Sequence, residues 1–138
     1  CPKNILQRRN NGIGVLDMEL SSGIGDPAYD IGFSLGHYFL FSKIKGVPEI
    51  SLEAIKRQYG AYFKEIEDLK GNFGNLEERM LKYAGAVMIY RVAGSSPAGY
   101  IPKDMIQDVK ETGAKIIIDG TNSVNKAVEI LASQTNNN

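Results

Sequence analysis

Asn4, Asp17, Glu19, Asp26, Asp30 and His37 have side chains and spacings that could do chemistry. Asp17 follows the apolar pair Val15-Leu16 at the end of a short run that reads as a strand, and a Ser/Gly loop comes after it. A carboxylate at a strand end beside a small-residue loop is a place where a divalent cation and phosphate groups can meet. Mg²⁺ takes hard oxygen ligands, and an amide oxygen such as that of Asn4 is a neutral donor of the same kind. Glu19 stands two residues after Asp17, so on a strand it shares the same face. It is a further candidate for the metal side, or simply a hydrogen-bonding end group. The plainer reading of Asp17 is a turn former. Asp26 and Asp30 flank Pro27-Ala28-Tyr29; Asp26 reads as a helix cap worth about 1 kcal/mol, and Asp30 as a structural carboxylate one turn in. His37 lies in an apolar helical stretch with no Ser, Cys or Asp placed to make a catalytic pair, which reads as a core residue. Gly23 to Gly25 lacks the Lys and the spacing of a phosphate loop.

These residues need elements to position them. Asn4 to Arg9 and Ile13 to Glu19 are short runs separated by Asn10-Asn11-Gly12, and an Asn-Gly pair tolerates the positive φ of a tight turn. The spacing predicts a β-hairpin with Asn4 and Asp17 at its open end. Asp26-Pro27 opens a helix, and Ile31, Leu35, Tyr38 and Phe39 recur at helical steps towards an end near Gly46. That helix is apolar on most sides, which predicts burial within a helical body. Val47-Pro48 breaks the chain and Ser51 is placed to cap a second helix. In it Leu52, Ile55, Tyr59, Tyr62, Phe63, Ile66 and Leu69 mark one face, and Lys56, Arg57, Lys64, Glu65 and Glu67 the other. Gly71 to Gly74 reads as a loop, and Asn75 with Glu78 as a variant capping box. Leu76, Met80, Tyr83, Val87 and Tyr90 then follow at core-facing steps. Gly85 inside this helix costs about 1 kcal/mol against Ala, which predicts close packing with another helix. Arg91 to Tyr100 reads as a loop and Pro102 as the next helix start. The β-branched run near Lys115 to Ile118 could be a buried strand; a helix through Gly113 to about Ile118 is preferred, because no strand is available to pair with it. Gly120 should end that helix, Asn122 or Ser123 should cap a last one to about Leu131, and Gln134 to Asn138 should be disordered.

The 138 residues suffice for one domain with a real core, and neither an internal repeat nor a second domain is visible. Lys and Arg together equal Asp and Glu at 16 each, without a basic block, which argues against nucleic acid or an anionic membrane as partner. A single Cys cannot form an internal disulfide, so a reducing, cytoplasmic compartment is expected. Ile31 to Ile44, the most apolar stretch, is interrupted by Gly36, His37, Ser42 and Lys43 and falls short of a bilayer span. Cys1 runs straight into a strand-like segment rather than a lipoprotein tether, and a chain cut from a longer protein is the expectation.

Pro2-Lys3-Asn4-Ile5-Leu6, then VLDMEL at 15–20, then GDPAYDIG at 25–32, resemble in order and spacing the aminoglycoside phosphotransferase/choline kinase-like family. RVAGSSPAGY at 91–100 resembles an Arg-x-x-Gly-x-Ser-Pro segment of a bacterial subgroup of that family. The resemblance implies an α+β fold: the mostly α-helical C-terminal lobe of a protein-kinase-like structure, residues 1–133, with an N-terminal β-hairpin and a tail at 134–138. It implies ATP-dependent phosphorylation of a hydroxyl on a small molecule of aminoglycoside, choline or sugar type. Mg²⁺ and ATP would be bound through Asn4 and Asp17, and Asp30 would be a buried brace on the catalytic loop. The family's general-base Asp and its nucleotide-gripping lobe would precede Cys1, so the chain alone is expected not to turn over. The acceptor would be chosen by the C-terminal helices. A rival reading is a non-catalytic helical binding or interaction module that kept the hairpin as scaffold.

Overall fold

The computed structural model describes residues 4–16, 25–46, 48–66, 74–119 and 122–133. Two short strands, β1 (Ile5–Gln7) and β2 (Ile13–Val15), precede α1 (Pro27–Lys45), α2 (Pro48–Glu65), α3 (Leu76–Ala93), a 3₁₀ turn at Lys103–Met105, α4 (Ile106–Ile118) and α5 (Val124–Ser133). The architecture is thus mostly helical with an antiparallel hairpin at its N-terminal side, as the α+β expectation has it.

Helix α3 is the centre, with α1 packed along it on one side and α4 on another. Both approaches are closer than side chains permit. A Cβ on Gly32 would lie 2.5 Å from the Met80 carbonyl oxygen, and one on Gly36 2.7 Å from that of Ala84. Across the other crossing, a Cβ on Gly85 would meet the Gly113 oxygen at 2.6 Å, and one on Gly113 the Gly85 oxygen at 2.8 Å. The close packing expected of Gly85 is therefore met by a glycine on α4. Around these contacts Leu35, Phe39, Met80, Leu81, Met88 and Ile116 are fully buried. Both α1 and α3 bury a broad half of their surface, whereas α2 packs through a narrower face: Ile55 is buried, while Lys56, Arg57, Lys64 and Glu65 are exposed.

Helix boundaries follow local chemistry, with corrections. Asp26 caps α1 and Gly46 ends it at φ 60°, a left-handed value that suits glycine. Helix α2 begins at Pro48, not after Ser51; proline is preformed for the first helical position, so the break and the start coincide. Asn75 stands at the cap of α3 without bonding its backbone, and its Nδ2 donates instead to Glu78 Oε2 at 3.3 Å. The loop before α4 begins at Gly94, since Arg91 to Ala93 remain helical. Tyr90 is 44% exposed rather than in the core: its ring lies over Gly94 at the helix end and its hydroxyl reaches Ser95 Oγ at 3.3 Å. Helix α4 continues through Ile116 and Ile117 to Ile118, as preferred over a strand. Ser123 caps α5 by accepting the Lys126 N–H at 3.3 Å. The expectations for Leu69, the Gly71 loop, Gly120 and the 134–138 tail lie outside the described residues.

Candidate functional site

The hairpin is built by its turn. Arg8 N–H donates to the Gly12 carbonyl at 2.7 Å and Asn11 N–H to the Arg8 carbonyl at 3.1 Å, while Asn11 takes φ 60°. This is a three-residue loop, Arg9 to Asn11, closed by one left-handed residue. The expected turn at Asn10–Gly12 is thus shifted by one, and Asn11 alone carries the positive φ; its short polar side chain tolerates that conformation. The strands pair Ile5 with Val15, Leu6 with Gly14 and Gln7 with Ile13. One step further, Leu16 N–H donates to the Asn4 carbonyl at 2.8 Å, so Asn4 stands opposite Leu16 at the open end. Asn4 is half-buried. Asp17 and Glu19, the candidate carboxylates, lie outside the described residues, as does Gly23. Ile5, Ile13 and Val15 share one face of the hairpin and are all exposed, Ile13 to 71%.

Asp26 is where the chain enters the helical body. Its Oδ1 accepts the Ala28 N–H at 3.0 Å, as a cap should. It also receives the Arg79 guanidinium in a fork, Nε to Oδ2 at 2.9 Å and Nη2 to Oδ1 at 3.3 Å. The hydrogen bond from Arg79 is the main reason its carboxyl is held below the ordinary range; partial burial opposes this and the Ala28 amide adds to it. Asp30 is exposed, which corrects the expectation of a buried brace: on α1 the inward positions are Ala28, Ile31, Gly32 and Leu35, and Asp30 falls between them. Beside it, burial pushes the Tyr62 hydroxyl up, with smaller contributions from the charges of Asp30 and Asp26.

His37 is half-buried at the end of an aromatic row. Its ring meets Phe33 edge-on at 5.0 Å, Phe33 lies 5.9 Å from Tyr29, and Tyr29 meets Tyr83 edge-on at 5.4 Å. This is packing, in line with a structural histidine. In the Arg-x-x-Gly-x-Ser-Pro segment, Arg91 Nη1 donates to the Ser96 carbonyl at 2.9 Å and the Ala98 N–H to the Arg91 carbonyl at 2.7 Å. Arg91 therefore folds the loop back onto α3.

Three charged residues do more than the sequence suggested. Arg79 reaches Asp26 across 53 residues. Lys43, near the end of the apolar stretch, has a side chain only 1% exposed, with Nζ 2.8 Å from Asp108 Oδ2. That contact is close but poorly directed for a hydrogen bond, so charge rather than donor geometry holds it. Glu77 Oε1 accepts the Val124 N–H at 2.9 Å and so caps α5. Burial first, and the Glu77 hydrogen bond second, push the Tyr59 hydroxyl well above its ordinary value. A cleft of about 440 Å³ at the start of α3 is lined by Phe63, Asn75, Leu76, Glu77, Glu78 and Asn122, and takes in neither Asn4 nor Asp26.

Among the described residues no group of three His, Cys, Asp or Glu stands together as a metal site, and no helix is long and apolar enough to cross a membrane. Comparison with protein-family models, with curated proteins and with solved structures gave no match.

Proposed function

We propose that residues 1–133 form part of an ATP-dependent phosphotransferase acting on a hydroxyl of a small molecule, with Asn4 and Asp17 as the ligands of Mg²⁺. The observation that carries this reading is the hairpin register. Leu16 N–H donates to the Asn4 backbone carbonyl, which brings Asn4 to the open end of the hairpin, where the chain runs on to Asp17. An amide and a carboxylate are both hard oxygen donors, the kind of set that suits Mg²⁺. Glu19 is a further candidate ligand. When bound, Mg²⁺ supplies charge neutralisation to the phosphates of the nucleotide. In the reaction the acceptor oxygen bonds to the γ-phosphorus, the bond to the β,γ-bridging oxygen breaks, and the acceptor's proton passes to a base. The role of this chain is to hold charge and position in place rather than to form covalent intermediates. The helices are left to shape the acceptor site.

In the phosphotransferase, Asp17→Asn should lower kcat at least about a hundredfold, because metal-bound charge neutralisation accounts for several kcal/mol of barrier and each 1.36 kcal/mol is tenfold. Asn4→Ala should lower the rate as well, whereas His37→Ala should act through stability. Near-normal kcat in Asp17→Asn would end the reading. The rival reading, a non-catalytic binding module, is favoured by the exposed apolar face of Ile5, Ile13 and Val15. It predicts that Asp17→Asn leaves partner binding intact and that substitutions of Ile13 weaken it.

A further inference from the structure

The hairpin of β1 and β2 stands on its own, and its outer edges are open. Among the described residues no helix packs along it, and a two-stranded hairpin alone is marginal in water. Leu16 N–H bonds the Asn4 carbonyl and Arg8 N–H the Gly12 carbonyl. Bonded and non-bonded pairs alternate along an antiparallel ladder, so the main-chain groups of Ile13 and Val15 point outward from β2, as those of Ile5 and Gln7 do from β1. Ile13 and Val15 are β-branched and 71% and 58% exposed. Between them Gly14 leaves the other face of β2 bare, and the Arg8 guanidinium lies over that gap. A Cβ on Gly14 would stand 3.4 Å from Arg8 Nε and 3.8 Å from Nη2. Arg8 and Arg9 are both exposed, and residues 4–16 include no Asp or Glu.

We propose that the outer edge of β2 is a docking site for an extended segment of a partner protein with an apolar–acidic–apolar pattern. Such a segment adds a third strand. Its main chain bonds the outward groups of Ile13 and Val15, and its two apolar side chains lie beside theirs. The carboxylate between them falls opposite Gly14, on the face where the Arg8 guanidinium lies. Opposed residues on paired strands have Cα atoms about 4.5–5.5 Å apart, within reach of that guanidinium, and opposite charges so placed attract. The outer edge of β1 lacks this complement, since Leu6 stands where β2 has Gly14. A second copy fits less well: antiparallel pairing of two β2 strands about Gly14 sets two Arg8 guanidinia side by side, and like charges there repel. Ile13, Gly14 and Val15 offer this edge whether or not Asn4 and Asp17 hold Mg²⁺.

The test uses the isotopically labelled 138-residue chain and two blocked synthetic peptides, Thr-Val-Glu-Val-Thr and Thr-Val-Lys-Val-Thr, with backbone amides followed by two-dimensional NMR. The Glu peptide should shift the Ile13 and Val15 amides downfield and slow their hydrogen exchange, while the Ile5 and Gln7 amides stay in place. The Lys peptide should bind about fivefold or more weakly, and Arg8→Gln should erase that preference. Val15→Pro removes an outward N–H and no bond within the hairpin, so it should abolish binding, whereas Gln7→Pro on the other edge should not. No shift with the Glu peptide, shifts that favour β1, equal affinity for the two peptides, or binding indifferent to Val15→Pro would each overturn the proposal. Shifts of Ile13 and Val15 that grow with protein concentration alone would overturn it too, because a second copy would then occupy the edge.

Discussion

Replacing one glycine by alanine should destabilise the protein at Gly85 and stabilise it at Gly60, although both lie inside helices. In an open helix the exchange gains close to 1 kcal/mol, because glycine has more backbone freedom to lose and a poorer helix propensity. Gly60 is exposed on α2, and a Cβ there meets nothing within 4 Å, so this gain should appear undiminished. At Gly85 the new Cβ would sit 2.6 Å from the Gly113 carbonyl oxygen and 2.8 Å from Ile117 Cγ1. The oxygen belongs to backbone and cannot swing aside, so α3 and α4 must separate by several tenths of an ångström along a contact that also buries Met88 and Ile116. Overpacking of this kind costs about 1–3 kcal/mol, and more where backbone rather than a side-chain tip must move. After subtracting the propensity gain, Gly85→Ala should lose about 1–2 kcal/mol, or about 3–8 °C in melting temperature. Denaturant titration of both variants, followed by circular dichroism at 222 nm, measures the two signs in one experiment. A Gly85→Ala variant as stable as Gly60→Ala would refute the close α3–α4 crossing.

Other perturbations have equally definite outcomes. Asp108→Ala should destabilise by about 1–3 kcal/mol, because it leaves the Lys43 ammonium buried without its counter-charge; Lys43→Met should be close to neutral, since a similar volume then needs no partner. Chemical denaturation of both variants checks the asymmetry, and equal losses would contradict it. The Asp26 carboxyl is depressed below its ordinary 3.8 by Arg79, so its share of stability is present above that value and drains away as pH falls through the lower, folded value. Asp26→Asn should therefore show a shallower loss of stability than the parent as pH falls below the ordinary 3.8, read from melting temperature against pH. Arg91→Ala should free the loop from Gly94 to Ile101, which hydrogen exchange at the Ala98 amide would register as faster exchange.

Much of the fold was legible because local signals and packing agree. Asp26-Pro27 states a helix start in residue types alone, and the apolar character of α1 is met by burial along α3, though Tyr29 and Phe41 remain exposed on its other side. Gly85 was legible as a close approach, though not its partner, since nothing local links it to Gly113. The turn was misplaced by one residue because Asn-Gly suggests a two-residue loop, while Asn11 can hold the left-handed conformation by itself. Tyr90 keeps three- and four-residue spacing but stands past the edge of the face that α3 buries, since Val92, two residues further on, is buried. Arg79, Lys43 and Glu77 were not legible at all. Their roles come from partners 53, 65 and 47 positions away, and a charged residue on a helix carries no local mark of such a partner. Of the candidate site, the hairpin itself was legible from alternation and turn chemistry, though not its register, and Asp26 from its cap. The brace expected of Asp30 failed because a one-turn offset from the cap does not say which way the side chain faces.

The most direct test of the metal assignment is paramagnetic broadening in a two-dimensional NMR spectrum of the isotopically labelled chain as Mn²⁺ is added below stoichiometry. Broadening falls steeply with distance from the ion, so it reports where the ion sits. With Asn4 and Asp17 as ligands, the side-chain amide of Asn4 and the backbone amides of Leu16 and Asp17 should broaden first. Signals from Ile116 on α4 and Ala127 on α5 should stay sharp, and Asp17→Asn should abolish the effect at the hairpin. Broadening that begins at surface carboxylates such as Glu53 or Glu111 and spares Asn4 and Leu16 would contradict a metal site at the open end of the hairpin.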